Sequence, residues 1–167
     1  MNIVVVGTGY VGLVTGVALA HIGHRVTCVD VDEEKVNRMR QGISPIYEPG
    51  IEQFMKENME ANRLFFTTDG ARAYREADVI YIAVGTPENE DGSANLTYIY
   101  QAVKDIASSV TKDVIIVTKV RCPSGRIMRC SACFNSSLRM CASMSCRIRN
   151  FYAKGQRFMI RFMATEL

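Results

Sequence analysis

A single acidic side chain, Glu166, stands in the last 48 residues of this 167-residue chain. Residues 120–167 carry 9 Lys and Arg against 1 acid, whereas residues 1–119 carry 11 against 16. The net charges are 9 − 1 = +8 and 11 − 16 = −5, so the whole-chain value of +3 averages two unlike segments. Long apolar runs are also missing. Nothing approaches the ~18 uninterrupted apolar residues of a membrane span, so no membrane partner is expected. Met1-Asn2-Ile3 passes straight into Val4-Val5-Val6-Gly7 without the basic start and small-residue cleavage site of a secretory signal, which makes the cytoplasm the expected compartment.

Cysteine pairs are scarce in the pattern that matters. Five of the six cysteines lie in the tail, at Cys122, Cys130, Cys133, Cys141 and Cys146. Only Cys130-Ser131-Ala132-Cys133 has the spacing of a zinc-binding pair, and the others supply no second one, so no metal site is expected. Eight of the nine tail cations are arginine. Without a folded module to organise them, they offer diffuse attraction for phosphates and no specific nucleic-acid recognition.

What is present in residues 1–119 is an alternation of short β-branched runs with helical periodicity. Ile3 to Val6 suits a strand buried on both faces. Gly7-Thr8-Gly9-Tyr10-Val11-Gly12 follows at once, and Leu13, Val14, Val17, Ala18, Leu19 and Ile22 then recur at helical spacing up to Gly23. Arg25 to Asp30 is a second strand ending in an acid. Helices are expected at Glu33 to Arg40, Ile51 to Asn58, Gly70 to Glu76 and Asn95 to Ser109, and strands at Leu64 to Thr68, Val79 to Val84 and Val114 to Val117. The fold class is α/β, a Rossmann-like doubly wound parallel sheet. It is expected to be incomplete and followed by a disordered or loosely helical tail, with the 151–163 stretch prone to aggregation.

The order strand, GxGxxG, helix, strand, acid has a physical meaning. Gly7 makes the tight turn, Gly9 lets the backbone approach a pyrophosphate, and Gly12 lets the helix pack closely on the strand. The start of the helix presents unpaired N–H groups and a positive dipole end to phosphates. Asp30, 18 residues after Gly12, accepts hydrogen bonds from an adenosine ribose diol and repels a 2′-phosphate, so NAD is favoured over NADP. Lys35 is either a solvated helix cation or a group lying over the adenosine phosphates or ribose. Thr86, in Gly85-Thr86-Pro87 at a strand's carboxyl end, is a cofactor contact or part of a plain turn. Cys28, inside the second strand, reads as core.

These residues, with Val29-Asp30, Pro45-Ile46-Tyr47-Glu48-Pro49-Gly50, and Val84-Gly85-Thr86-Pro87 followed by Asp91-Gly92-Ser93-Ala94-Asn95-Leu96, resemble the N-terminal domain of the UDP-glucose/GDP-mannose dehydrogenase family. The resemblance implies that Val11, Asp30, Lys35 and Thr86 contact NAD. It implies a two-step, NAD-dependent oxidation of a UDP-hexose C6 alcohol to a carboxylate, through a thiol nucleophile contributed by later segments.

The resemblance breaks after Lys119. Where the family has Ser-Thr-Val-Pro-Val-Gly-Thr, this chain has Val120-Arg121-Cys122-Pro123-Ser124-Gly125-Arg126. If Lys119 and the family's serine were AAA AGT, loss of one A turns AGT ACG GTG CCC GTC GGG ACG into GTA CGG TGC CCG TCG GGA CG, which encodes residues 120–126. The same frame change at 147–155, read as CGA ATC CGG AAT TTT TAC GCG AAG GGA, recovers Asn-Pro-Glu-Phe-Leu-Arg-Glu-Gly, the family's next motif.

The expected organisation is therefore a 1–119 NAD-binding domain and a 120–167 out-of-frame tail. The expected function is an NAD-binding fragment of a UDP-glucose 6-dehydrogenase without turnover of its own, with no catalytic residue, and with UDP-glucose a partner only of the full-length family. Two alternatives stand: a stand-alone NAD-binding or regulatory module with a basic tail, and a nonfunctional pseudogene product. The oligomeric state stays open.

Overall fold

Strand β1 (Asn2–Val6) forms where four β-branched residues run together, and both of its faces are covered. Ile3 and Val5 pack into one apolar cluster while Val4 and Val6 pack into another. That is the burial expected of a strand in the middle of a parallel sheet. The computed structural model describes residues 1–118 and, without their side chains, residues 149–153 and 156–160. The cysteines of the tail, the Lys119 boundary and residues 120–126 lie outside the described residues.

Around β1, the strands β2 (Arg25–Val29), β3 (Leu64–Thr67), β4 (Val79–Ile82) and β5 (Ile115–Thr118) pair in parallel in the order β3-β2-β1-β4-β5. Helices α1 (Tyr10–His21), α2 (Glu33–Arg40) and α3 (Ile51–Glu60) cover one face through Leu13, Val17, Val36, Met39, Ile51 and Met55. Helices α4 (Gly70–Glu76) and α5 (Thr97–Ser109) cover the other through Tyr74, Ile99, Val103 and Ile106. Each fully buried Val, Leu or Ile contributes roughly 1.5–3 kcal/mol relative to an exposed one, so these two clusters are what hold the layers together. The arrangement is the doubly wound, Rossmann-like α/β sheet.

The order places β2 and β3 on one side of β1, and β4 and β5 on the other. The winding reverses between β1 and β4, and at such a reversal open α/β sheets take their ligands in the crevice beyond the carboxyl ends of the strands. The opposite end of the sheet is closed by Asp78, which accepts from the Asn2 N–H at 2.8 Å and from Lys112 Nζ at 3.1 Å.

Helices α2 and α4 are conventionally capped: the Asp32 and Asp69 carboxylates accept from the N–H groups of Lys35 and Arg72, both at 3.1 Å. Helix α5 begins two residues later than its apolar periodicity predicts, because Asn95 Oδ1 takes the Thr97 N–H at 2.9 Å ahead of the first turn. Strand β4 stops at Ile82 instead of running to Val84, as the chain turns off the sheet to pass the glycine loop. Ile22, placed on the apolar face of α1 by its spacing, is exposed; it is the C-cap, and the chain leaves the helix at Gly23 with φ 103°.

The largest departure from expectation is in the tail. Instead of irregular or loosely helical backbone, residues 149–153 and 156–160 are strands β6 (Arg149–Ala153) and β7 (Gln156–Ile160), an antiparallel pair whose second member joins β5 through Val117↔Ile160 and Thr118↔Met159. The segments contain Phe151, Tyr152, Phe158 and Ile160, residue types that favour strands, and the outer edge of β5 otherwise offers unpaired backbone groups. Among the described residues no helix is long and apolar enough to cross a membrane.

Candidate functional site

The crevice is built from three pieces of chain: the loop after β1, the acid after β2, and the segment after β4. The loop is rigid because its glycines leave no alternative. Gly7 has φ 92°, and a Cβ on it would lie 3.0 Å from the Ala83 carbonyl oxygen and from Val84 N and Cα, so the loop and the exit of β4 touch at this point. The Gly7 N–H donates to the Val29 carbonyl at 2.8 Å, fastening the loop to β2 as well. A Cβ on Gly12 would fall well under 3.0 Å from the Gly7 carbonyl oxygen. Helix α1 thus starts pressed against the loop that precedes it.

Gly9 is the exception. A Cβ added there meets nothing within 4 Å, and its φ of −68° and ψ of −174° are open to any residue. Gly9 is the N-cap of α1, yet no side chain caps that helix and no acid lies in its first turn. The three residues Tyr10, Val11 and Gly12 open the helix, and the first intrahelical bond runs from the Leu13 N–H to the Gly9 carbonyl at 2.9 Å. Helices α2 and α4 are capped by aspartate; α1 presents its dipole and its first N–H groups to open space. Such an end suits an anion.

Asp30 stands beside this end. Its Oδ2 accepts from the Thr8 N–H at 2.8 Å, from the Thr8 hydroxyl, and from Lys35 Nζ at 2.9 Å; its Oδ1 accepts only the Asp32 N–H, at 3.2 Å. Burial works against the charge, but the hydrogen bonds from the side chains of Thr8 and Lys35, and from the backbone of Thr8 and Asp32, outweigh it. They hold Asp30 below the ordinary carboxylate range. Lys35 is thus neither a plain solvated cation nor displaced from the acid: it is paired with Asp30, its side chain 26% exposed.

Tyr10 and Val11 are exposed. The Tyr10 hydroxyl donates to the Glu48 carboxylate, which ties the 45–50 loop, running into α3, to the start of α1. Thr86 lies half-buried in the segment that leaves β4 past Gly7. Beyond it, the Asn95 N–H donates to the Pro87 carbonyl at 2.7 Å and a Glu88↔Ala94 bridge closes a small hairpin. The structure therefore gathers Gly7, Gly9, Tyr10, Val11, Gly12, Asp30 and Lys35 around one loop and helix end, with Thr86 on the chain leaving the adjacent strand.

Three contributors escaped sequence reasoning. Thr8 is wholly buried, and its signal was only that the residue inside Gly-x-Gly carries a hydroxyl. Glu48 lay in a recognised motif whose role the spacing did not reveal. Gly16 is buried in α1, and a Cβ there would sit 2.5 Å from Cys28 Sγ, so the helix rests on β2 at this point too. Burial, followed by the charge of Asp30, pushes the Cys28 thiol up to about 12. A thiol so protonated is no nucleophile at neutral pH, which matches its reading as core. Among the described residues no three His, Cys, Asp or Glu side chains cluster as a metal site.

The arrangement suits a dinucleotide on observations internal to the chain: an uncapped helix end for a pyrophosphate, open space at Gly9 for its close approach, and a carboxylate oxygen with spare capacity for a ribose diol. Comparison with known proteins agrees. The model of the UDP-glucose/GDP-mannose dehydrogenase family, NAD binding domain, matches residues 1–143. UDP-glucose 6-dehydrogenase YwqF of Bacillus subtilis is 54% identical over 125 residues, covering 75% of this chain and 28% of its own length. The UDP-glucose 6-dehydrogenase of Rickettsia felis is 43% identical, with 74% and 28% covered. Among solved structures, a ternary complex of GDP-mannose dehydrogenase from Pseudomonas aeruginosa superposes with a TM-score of 0.79 at 31% identity, covering 83% of this chain and 33% of that one. A UDP-glucose dehydrogenase from Pyrobaculum islandicum gives 0.72 at 32% identity, with 81% and 32% covered. The chain spans less than a third of the length of these curated relatives.

Proposed function

Because this chain belongs to the UDP-glucose/GDP-mannose dehydrogenase family, with the NAD-binding domain as the part matched, we propose that it holds NAD at the β1–β4 crevice without oxidising a UDP-sugar itself. In this reading the backbone of Gly7, Gly9, Tyr10, Val11 and Gly12 receives the pyrophosphate. Asp30 accepts from the adenosine ribose, Lys35 adds a positive charge on that side, and Thr86 stands on the nicotinamide side. When bound, the cofactor supplies a hydride acceptor. The described residues supply binding, orientation and the choice of ribose; their one cysteine, Cys28, is buried and protonated.

The lack of turnover rests on the codon reading. A single lost base after Lys119 replaces the family's sequence by an out-of-frame stretch, and with it the segments expected to bring the thiol and the UDP-glucose contacts. The family match runs past that boundary to residue 143, so the nucleotide sequence around codons 119 and 120 is the direct check. An adenine run there and an open alternative frame are expected; a junction without that run overturns the frame change.

Gly9 carries the binding proposal, since nothing in the protein requires glycine at that position. Gly9→Val is expected to melt within a few degrees of wild type while NAD binding, followed by calorimetric titration, weakens about 10-fold or more through collision with the ligand. Equal affinity in the variant would move the pyrophosphate elsewhere. Titration of the purified chain is expected to show NAD preferred over NADP, with no NADH formed from UDP-glucose and NAD. Measurable NADH production would end the proposal that the chain lacks turnover.

A further inference from the structure

We propose that the Thr8 hydroxyl is a specificity-determining positioning group, which holds Asp30 against Lys35 so that the site takes a dinucleotide with a free 2′-hydroxyl and refuses a 2′-phosphate. The inference rests on the reading of the crevice as an NAD site and goes beyond it, because Thr8 reaches the ligand only through Asp30.

The geometry makes the case. Thr8 is wholly buried, and both of its donors, N–H and hydroxyl, are given to one oxygen, Asp30 Oδ2. A carboxylate only accepts, so the hydroxyl proton is committed to that bond. Lys35 Nζ is the third donor on the same oxygen, at 2.9 Å. A proton on Oδ2 would face three donors, and all three bonds are stronger to the charged carboxylate, so the cluster favours the ionised form. Oδ1 retains most of its acceptor capacity, and the Asp30 side chain remains 11% exposed. The carboxylate is thereby kept charged, in one orientation, with one oxygen left over for a ribose hydroxyl.

Charge balance explains why a third partner matters. Asp30 and Lys35 are a near-neutral pair 2.9 Å apart. Lys35 alone would attract a 2′-phosphate, and only a carboxylate that stays in place cancels that attraction. Without the hydroxyl, Oδ2 keeps the Thr8 N–H and the flexible lysine, and the carboxylate is held less firmly in one orientation. Discrimination between the two cofactors then falls even though both charged residues remain.

The experiment uses the complete 167-residue chain as wild type, Thr8→Val, Thr8→Ala and Thr8→Ser, each titrated calorimetrically with NAD and NADP from about pH 3, below the ordinary aspartate value, up to neutrality, and melted without ligand. Valine keeps the shape of threonine and drops the hydroxyl; alanine drops it without placing a methyl against the carboxylate, in case the valine variant does not fold. Loss of one charge-assisted hydrogen bond is expected to lower the NAD-to-NADP affinity ratio about 10-fold, mainly by weakening NAD. It is also expected to move the acid limb of NAD binding to higher pH, because Asp30 then protonates more easily. Thr8→Ser should restore both. A purely structural threonine would change the melting temperature and scale both affinities together, leaving ratio and acid limb in place, and that result overturns the inference while NAD binding stands. A wild-type chain that binds neither cofactor overturns the NAD reading and this inference with it.

Discussion

Gly12→Ala is expected to cost the chain both its stability and its cofactor site, since a methyl group there meets the tightest contact of any glycine among the described residues. The added Cβ would lie well inside contact distance of the Gly7 carbonyl oxygen and 3.3 Å from the Ala83 Cβ. Neither neighbour can rotate away, since one is backbone and the other a methyl fixed to the end of β4. Relief requires the start of α1 to lift off the loop, which separates Leu13 and Val17 from the sheet. Overpacking with a flexible neighbour costs about 1–3 kcal/mol, and a backbone collision belongs at or above the top of that range. Against a total stability of about 5–15 kcal/mol this is a large fraction. The expected readout is a melting temperature lower by about 10 °C and no measurable NAD binding, with Gly9→Ala as the control that melts normally. A Gly12→Ala chain with wild-type melting and affinity would mean that the helix start is not where the structure puts it.

Asp30→Ala is expected to weaken NAD about 10-fold to 100-fold, as the charge-assisted hydrogen bond from the ribose to Asp30 Oδ1 is lost together with the carboxylate that holds Lys35 in place. The same change leaves Lys35 without its partner, so NADP binding should hold or improve and the preference between the cofactors should disappear. Acid titration tests the same group in the wild-type chain. Asp30 is depressed in the folded state, so the stability it contributes is fully present above the ordinary aspartate value of about 3.9 and is lost as the pH falls through the lower folded value. NAD affinity should accordingly stay level from neutrality down to about pH 5 and fall only below the ordinary aspartate value. A decline centred near pH 6.5 would point to a histidine instead. Asp30→Asn separates shape from charge: the amide fits, but either its NH2 faces the donors of Thr8 and Lys35 or its NH2 takes the outward position.

The apolar patterning was enough to place five strands and five helices in residues 1–118, and two of the helices, α2 and α4, fall where the sequence predicts them to the residue. Both carry their own start signal, an aspartate whose side chain takes the N–H three residues on, so their limits are local properties. Limits set by distant chain were read less well. The end of β4 is decided by contact with Gly7, and the face of α1 by Gly16 lying on Cys28. No periodicity in a single segment contains either fact.

The site divides along the same line. Gly7, Gly9, Gly12 and Asp30 were legible because a tight turn, an uncapped helix and an acid ending the next strand are written in short, ordered spacing. Thr8 as the clamp of Asp30, Glu48 as the partner of Tyr10, and the pairing of Lys35 with the acid were not, since each joins residues from separate elements. The tail shows the limit most clearly: its composition suggested irregular chain, whereas β7 finds the open edge of β5. Sequence alone determined which backbone shapes each segment prefers, because turn chemistry and apolar period act within a few residues. Only the tertiary structure decided which hydrogen-bond donors converge on one carboxylate and which strand edge is filled, because those depend on groups far apart in the chain that meet only after the sheet has assembled.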